Sequence, residues 1–199
     1  MSLIKTMQDN SNIRAFFAFM LSKALQNKIS KIIADLKKDP IYRNIHWTKI
    51  KNLHITLRFL GNIPIDQLLT IGNDIQPIIA TIPAFKIALN SLVLFPKPEA
   101  PIALVLQPMP SNLELIKLAL TIDTCVIQHG ANIEKRAFSP HLTIARIKNK
   151  LANKNAEQSL ACIKIPELIL DVNEIQLMRS EPSPLDSNYK EIMSFRLKF

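Results

Sequence analysis

Two short segments of the chain share one pattern. Leu53-His54-Ile55-Thr56-Leu57-Arg58 recurs in outline as Pro140-His141-Leu142-Thr143-Ile144-Ala145-Arg146, each placing a histidine and a threonine two residues apart in an apolar, β-branched run. In an extended strand residues i and i+2 point to one face. His54 therefore projects with Thr56, and His141 with Thr143. Leu53, Ile55, Leu57, Phe59, Leu142 and Ile144 are expected on the opposite, packed face. A chain that commits two strands to this arrangement must bring polar groups to a shared surface or bury them at a cost. Two imidazoles and two hydroxyls on one surface would supply an acid, a base and two hydrogen-bond donors.

The rest of the chain punctuates readily. Ile13–Phe19 predicts a buried strand, and Ser22 caps a helix to Leu36 whose apolar residues recur at helical spacing. Leu53–Leu60 is the first histidine strand, closed by a Gly61-Asn62 turn. A helix over Ile65–Ile79 follows, with Asp66 near its positive end. Phe85–Phe95 and Ile102–Leu106 read as a strand pair whose proline-rich connection cannot be helical. Ser111, with Glu114 three residues on, has the spacing of a capping box. Phe138–Ile147 is the second histidine strand, Asn149–Asn155 a polar loop, and Ile169–Met178 and Tyr189–Leu197 are further strands. This order is not a steady βαβα alternation. It predicts an α+β fold: a bilobal chain with two pseudo-symmetric lobes of antiparallel sheet, helices packed outside and a central cleft. With 199 residues and 48% apolar content, a single domain over 1–199 is expected, carrying a polar N-terminal extension of about 12 residues.

A formal net charge of +9 favours a polyanionic partner, although a lysine-rich solvated surface gives the same figure. Cys125 and Cys162 form no CxxC pair and are expected to be buried, reduced thiols. No stretch has the length of a membrane helix, and the short apolar run Ala15–Leu21 lacks a cleavage site. A cytoplasmic protein with no membrane association is therefore expected.

A lone His-x-Thr is most often a satisfied strand residue. Two in matching settings, using two of only four histidines, point to a site. A metal centre would need three or four ligands. Neither motif has Asp, Glu or Cys close by, so no metal and no cofactor are expected. A serine-hydrolase elbow is missing from a chain with only three glycines. Phosphodiester chemistry suits the residues present. One imidazole can be neutral and one protonated near neutral pH, while the threonines donate to phosphoryl oxygens.

Arg146 and Arg58 are candidate phosphate clamps. Arg58 has even spacing from His54. Arg146 lies at an odd offset from His141 and reaches the same face only if the strand ends or bulges after Ile144. Phe17 and Phe19 could stack a base, Phe19 being better placed as core. His46 and His129 are expected at the surface or in loops.

Together, His54-Ile55-Thr56-Leu57 and His141-Leu142-Thr143-Ile144 resemble the paired HxTx motifs of the 2H phosphoesterases. Arg14-Ala15-Phe16-Phe17-Ala18, Asn52 to Gly61, Phe138 to Arg146, Leu92 to Pro98 and Tyr189 resemble the RNA 2′,3′-cyclic phosphodiesterase branch, also called 2′-5′ RNA ligase. The resemblance implies His54 as proton donor, His141 as proton acceptor, and Thr56 and Thr143 as phosphate ligands. It also implies Arg146 as a substrate-binding arginine and Phe17 as an aromatic near the nucleoside. The implied partner is RNA or a nucleotide with a 2′,3′-cyclic phosphate, handled by a monomer without an obligate protein partner. The implied product is a 2′-phosphate end, with weak 2′-5′ ligation chemically accessible. Met178 stands where relatives often carry tyrosine. Two other functions remain open on the residues: a phosphodiesterase for a small nucleotide or another phosphodiester, and an RNA-binding module without turnover.

Overall fold

The computed structural model describes residues 12–108, 112–131, 137–148, 160, 163, 165–182 and 187–199. Ser111, Cys162 and the Asn149–Asn155 loop lie outside them. Among the described residues nine strands form one curled antiparallel sheet. They are β1 (Asn12–Met20), β2 (His46–Trp47), β3 (His54–Pro64), β4 (Phe85–Phe95), β5 (Ala103–Pro108), β6 (Leu142–Arg146), β7 (Leu168–Val172), β8 (Glu174–Pro182) and β9 (Ser187–Arg196). The order is β7-β4-β5-β6-β3-β1-β8-β9, with β2 pairing alongside β6. The α+β class and the two antiparallel halves follow the sequence expectation. The two histidine strands, β3 and β6, sit side by side at the middle.

Three helices accompany the sheet: α1 (Lys23–Leu36), α2 (Ile65–Ile79) and α3 (Leu113–Gln128). Ser22 caps α1, its hydroxyl accepting from the Leu25 amide. At α3 the cap is Asn112, whose side chain accepts from the Leu115 amide. The helices lend their apolar stripes, such as Leu25, Ile29 and Ile33 of α1 and Leu68, Ile71 and Ile75 of α2, to one large core. His129 closes α3. Its Nδ1 lies 2.8 Å from the Cys125 carbonyl and its Nε2 2.8 Å from Asp74. Both contacts favour a protonated ring and raise its pKa. Cys125 is a buried thiol, and burial pushes its pKa up, which makes it a poor nucleophile.

β1 shows how alternation sorts side chains when both faces are covered. Ile13, Ala15, Phe17 and Phe19 enter the large core, whereas Phe16 and Ala18 join Met178 in a small cluster on the other face. Phe17 therefore does not reach a ligand site. It is fully buried against Phe195, with ring centroids 5.9 Å apart. The aromatic that β1 turns to the other face is Phe16, itself only 1% exposed.

Gly61 does not close a turn. With φ at +67° it stays within β3 and carries a register shift, Ala15 pairing with Gly61 and Phe16 with Phe59, that leaves Leu60 unpaired. A second shift follows the first motif: Phe17 pairs with Arg58 and Ala18 with Thr56, so Leu57 is the extra residue. Leu57 and Arg58 are consequently both buried, and Phe59, expected in the core, is 43% exposed. Arg58 turns inward to an ion pair with Asp123 of α3, each side chain about a tenth exposed. This corrects the even-spacing argument for Arg58 as a phosphate clamp. Its side chain borders the cleft, but its guanidinium is engaged in the interior.

A buried charge left without its partner is far costlier than a missing pair. Asp123→Ala is expected to destabilise the fold by about 3 kcal/mol. A matched apolar double variant, Arg58→Met with Asp123→Leu, should recover most of that loss in urea unfolding. Equal losses in both variants would show that the pair does not carry the penalty.

Candidate active site

β3 and β6 pair through one residue of each, Ile55 and Leu142, the residues just after the two histidines. Extending this antiparallel register by one position sets His54 beside Thr143 and Thr56 beside His141. Both pairs face away from the core that Ile55 and Leu142 enter. The two motifs thus meet head to tail, and each histidine has the other strand's threonine as its neighbour. They line a cleft of about 480 Å³, a size suited to a nucleotide.

The rings are held alike. His54 Nδ1 lies 2.6 Å from the Asn52 carbonyl, and His141 Nδ1 lies 2.7 Å from the Ser139 carbonyl, two residues back in each case. A carbonyl can only accept, so Nδ1 carries the proton and Nε2 is left for chemistry. Asn52 is itself buried, and its side-chain amide donates to the Ser187 carbonyl at 2.8 Å. Aromatic rings fix the remaining freedom. Phe16 and Tyr189 flank His54 at 5.1 and 5.0 Å, and Phe95 stacks on His141 at 4.4 Å.

Arg146 joins the cleft for a local reason. β5 pairs Leu104 with Ala145 and Val105 with Thr143, which leaves Ile144 as an extra residue. The Thr48 amide donates to the Ile144 carbonyl at 3.0 Å. Ile144 and Ala145 are both buried, and Arg146 emerges on the face of His141 and Thr143. This is the bulge that the odd offset required. The same displacement after His54 carries Phe59 to the cleft and Arg58 away from it. Phe59 sits 5.8 Å from Phe16 and extends the aromatic wall beside His54.

His46 is not the loop or surface histidine that the sequence predicts. It lies instead on β2, paired with Arg146, and lines the cleft with Thr48. The overlooked signal is the same spacing once more, His46-Trp47-Thr48. Phe16, by parity of β1, and Phe95, at the end of β4, are further cleft residues that spacing around the motifs did not single out. Among the described residues no three His, Cys, Asp or Glu side chains gather as a metal-binding group. No helix among them is long and apolar enough to cross a membrane.

Burial lowers the His54 pKa to about 4. The Asn52 carbonyl partly opposes this, and Arg146 and His141 reinforce it. Burial and Arg146 lower that of His141 as well, against the Ser139 carbonyl. With the cleft empty both rings are therefore neutral at pH 7. An anionic phosphate beside them would offset the Arg146 charge and raise both values.

Between pH 6.5 and 4 the unfolded chain protonates His54 while the folded chain does not. Its contribution to stability is thus greatest above pH 6.5, falls as the pH drops toward 4, and levels off below. His54→Gln should flatten that acid-side decline in unfolding measurements across pH 4–7, and ring NMR of the wild type should give a midpoint near 4. A midpoint near 6.5 with an unchanged slope would refute the burial argument.

A family model described as LigT-like phosphoesterase matches residues 20–104, a span that includes the first motif. An RNA 2′,3′-cyclic phosphodiesterase of Methanothermobacter thermautotrophicus is 27% identical over 186 residues, covering 93% of this chain and 99% of that protein. One of Aquifex aeolicus is 29% identical over 189 residues, covering 93% and 97%. The crystal structure of Escherichia coli LigT superposes with a TM-score of 0.74 at 22% identity, covering 95% of this chain and 99% of that one. Both halves of the sheet, and with them both histidine strands, fall within these full-length matches. The chain is thus similar in sequence to LigT-like phosphoesterases over residues 20–104 and shares the LigT fold along nearly its full length.

Proposed function

We infer that this protein opens the 2′,3′-cyclic phosphate at an RNA end to a 2′-phosphate, using His54 and His141 as acid and base. The observation that carries this reading is the matched tethering of the two imidazoles. Each Nδ1 is fixed by a carbonyl two residues back, and the rings stand on adjacent strands of one cleft, interleaved with Thr56 and Thr143. Curated relatives named RNA 2′,3′-cyclic phosphodiesterases, matched along nearly the full chain, support the substrate class.

The reaction follows from the residues. The phosphate sits over the seam, and the threonine hydroxyls and Arg146 donate to its non-bridging oxygens. Neutral His141 accepts a proton at Nε2 from water as the water oxygen attacks phosphorus. The bond from phosphorus to the 3′ oxygen breaks, and His54, protonated once the bound anion has raised its pKa, gives its Nε2 proton to that oxygen. The leaving oxygen belongs to the ribose. A nucleoside lying against Tyr189, the half-buried ring beside His54, would bring that oxygen to His54 rather than to His141, which supports the division of roles. A ribose 5′-hydroxyl taking the place of water gives a 2′-5′ linkage by the same transfers, the basis for weak ligase activity.

His54→Ala and His141→Ala should each reduce turnover of adenosine 2′,3′-cyclic phosphate by roughly 10²–10⁴-fold. The nucleotide should remain bound, and EDTA should leave the wild-type rate intact. Full activity in both variants would sink the assignment. Binding of cyclic-ended RNA without wild-type turnover would favour a binding module, and loss in EDTA restored by zinc would favour a metal mechanism.

A further inference from the structure

The cleft-facing residues of β2, β3 and β6 form three cross-strand pairs in line: Thr56 with His141, His54 with Thr143, and His46 with Arg146. Both β2 and β3 lie along β6. The 3-10 turn at Ile50–Asn52 intervenes between them, so His46 continues the row that His54 begins. The chemistry above uses the first two pairs and one member of the third. His46 lines the cleft, and its Nε2 is buried with no hydrogen-bond partner among the described residues. Such an atom costs free energy unless something meets it. Thr48, in the same spacing that serves the other two motifs, also lines the cleft, while its backbone amide holds the Ile144 bulge.

We propose that His46 and Thr48, beside Arg146, form a second phosphate subsite that takes the 5′-phosphate of the nucleotide whose cyclic phosphate is being opened. The proposal rests on the reading of the cleft as a cyclic phosphodiesterase and sharpens its substrate. The occupant is the phosphate linking the terminal nucleotide to the rest of an RNA strand, or the same group as a free 5′-monophosphate. Opposed residues of antiparallel strands stand about 5 Å apart on one face, so one anion can touch both His46 and Arg146. A hydrogen bond to a charged group contributes on the order of tenfold in binding or more, which is the size of effect expected.

Three substrates test it: adenosine 2′,3′-cyclic phosphate with a free 5′-hydroxyl, the same nucleotide with a 5′-phosphate, and the dinucleotide ApA ending in a cyclic phosphate. The wild type should favour the second and third over the first in kcat/KM by about tenfold. His46→Ala and Thr48→Val should each collapse that ratio, and thermal unfolding should show Thr48→Val folded, since only a hydroxyl is lost. Absence of any wild-type preference, or variants that depress all three substrates equally, would overturn the subsite. A preference for the dinucleotide alone would assign the contact to the second nucleoside instead of the phosphate and likewise overturn it. If the wild type turns over none of the three, the cyclic phosphodiesterase reading falls. The affinities of the first two nucleotides, measured calorimetrically for wild type and His46→Ala, then decide the subsite on their own.

Discussion

A single backbone pairing, Ile55 with Leu142, holds the functional arrangement together. Both side chains are fully buried, so the contact is fixed by the apolar core on one face while polar residues gather on the other. Because the strands run antiparallel and meet at equivalent residues, the relation between the motifs is close to a local twofold. That relation sets each histidine next to a threonine from the opposite strand. A slip of one residue would bury His54 and expose Ile55, a change that the core would oppose strongly. The geometry of the cleft is thus specified by hydrophobic burial. The strands pair at this one point, and beyond it β2 takes over the edge of β6 from Ala145 onward.

The helices, most strands and the one-faced character of the two motifs were legible in the sequence, because periodicity and capping express local physics. The extents of α1 and α2 follow from apolar spacing and the Ser22 cap. What period-2 reasoning missed lies where the period breaks. Leu57 and Ile144 are each an extra residue in their pairing, and each break reverses the parity of everything after it. Arg58 and Phe59 therefore exchange their expected faces, and Arg146 takes the face of His141 that its odd offset allows only through the bulge. Phe17 was misplaced for another reason: β1 is buried on both sides, so two adjacent phenylalanines look alike until pairing distinguishes them. His46 was overlooked because β2 has only two residues, too few for an alternating pattern to register.

Electrostatics then divide the two halves of a cleft whose backbone is nearly symmetric. Five residues beyond each histidine the chain returns to the cleft, with Phe59 in one half and Arg146 in the other. The inward arginine of the first half, Arg58, is neutralised by Asp123, so its charge does not compete for an anion. Arg146 is left facing the two imidazoles, whose pKa values it lowers. Burial disfavours further positive charge there, and a bound anion would relieve it.

This asymmetry gives the cleft a direction. A symmetric pair of His-Thr motifs could bind a cyclic phosphate in either orientation, and either ring could then serve as acid. The aromatic wall flanks His54, while Arg146 and His46 face each other across the β2–β6 pair. Phe59 is the exposed ring of that wall, at 43% against 1% for Phe16, and presents apolar surface to the cleft. Two chemically identical side chains thus stand in different surroundings, His54 between Phe16 and Tyr189 and His141 under Phe95.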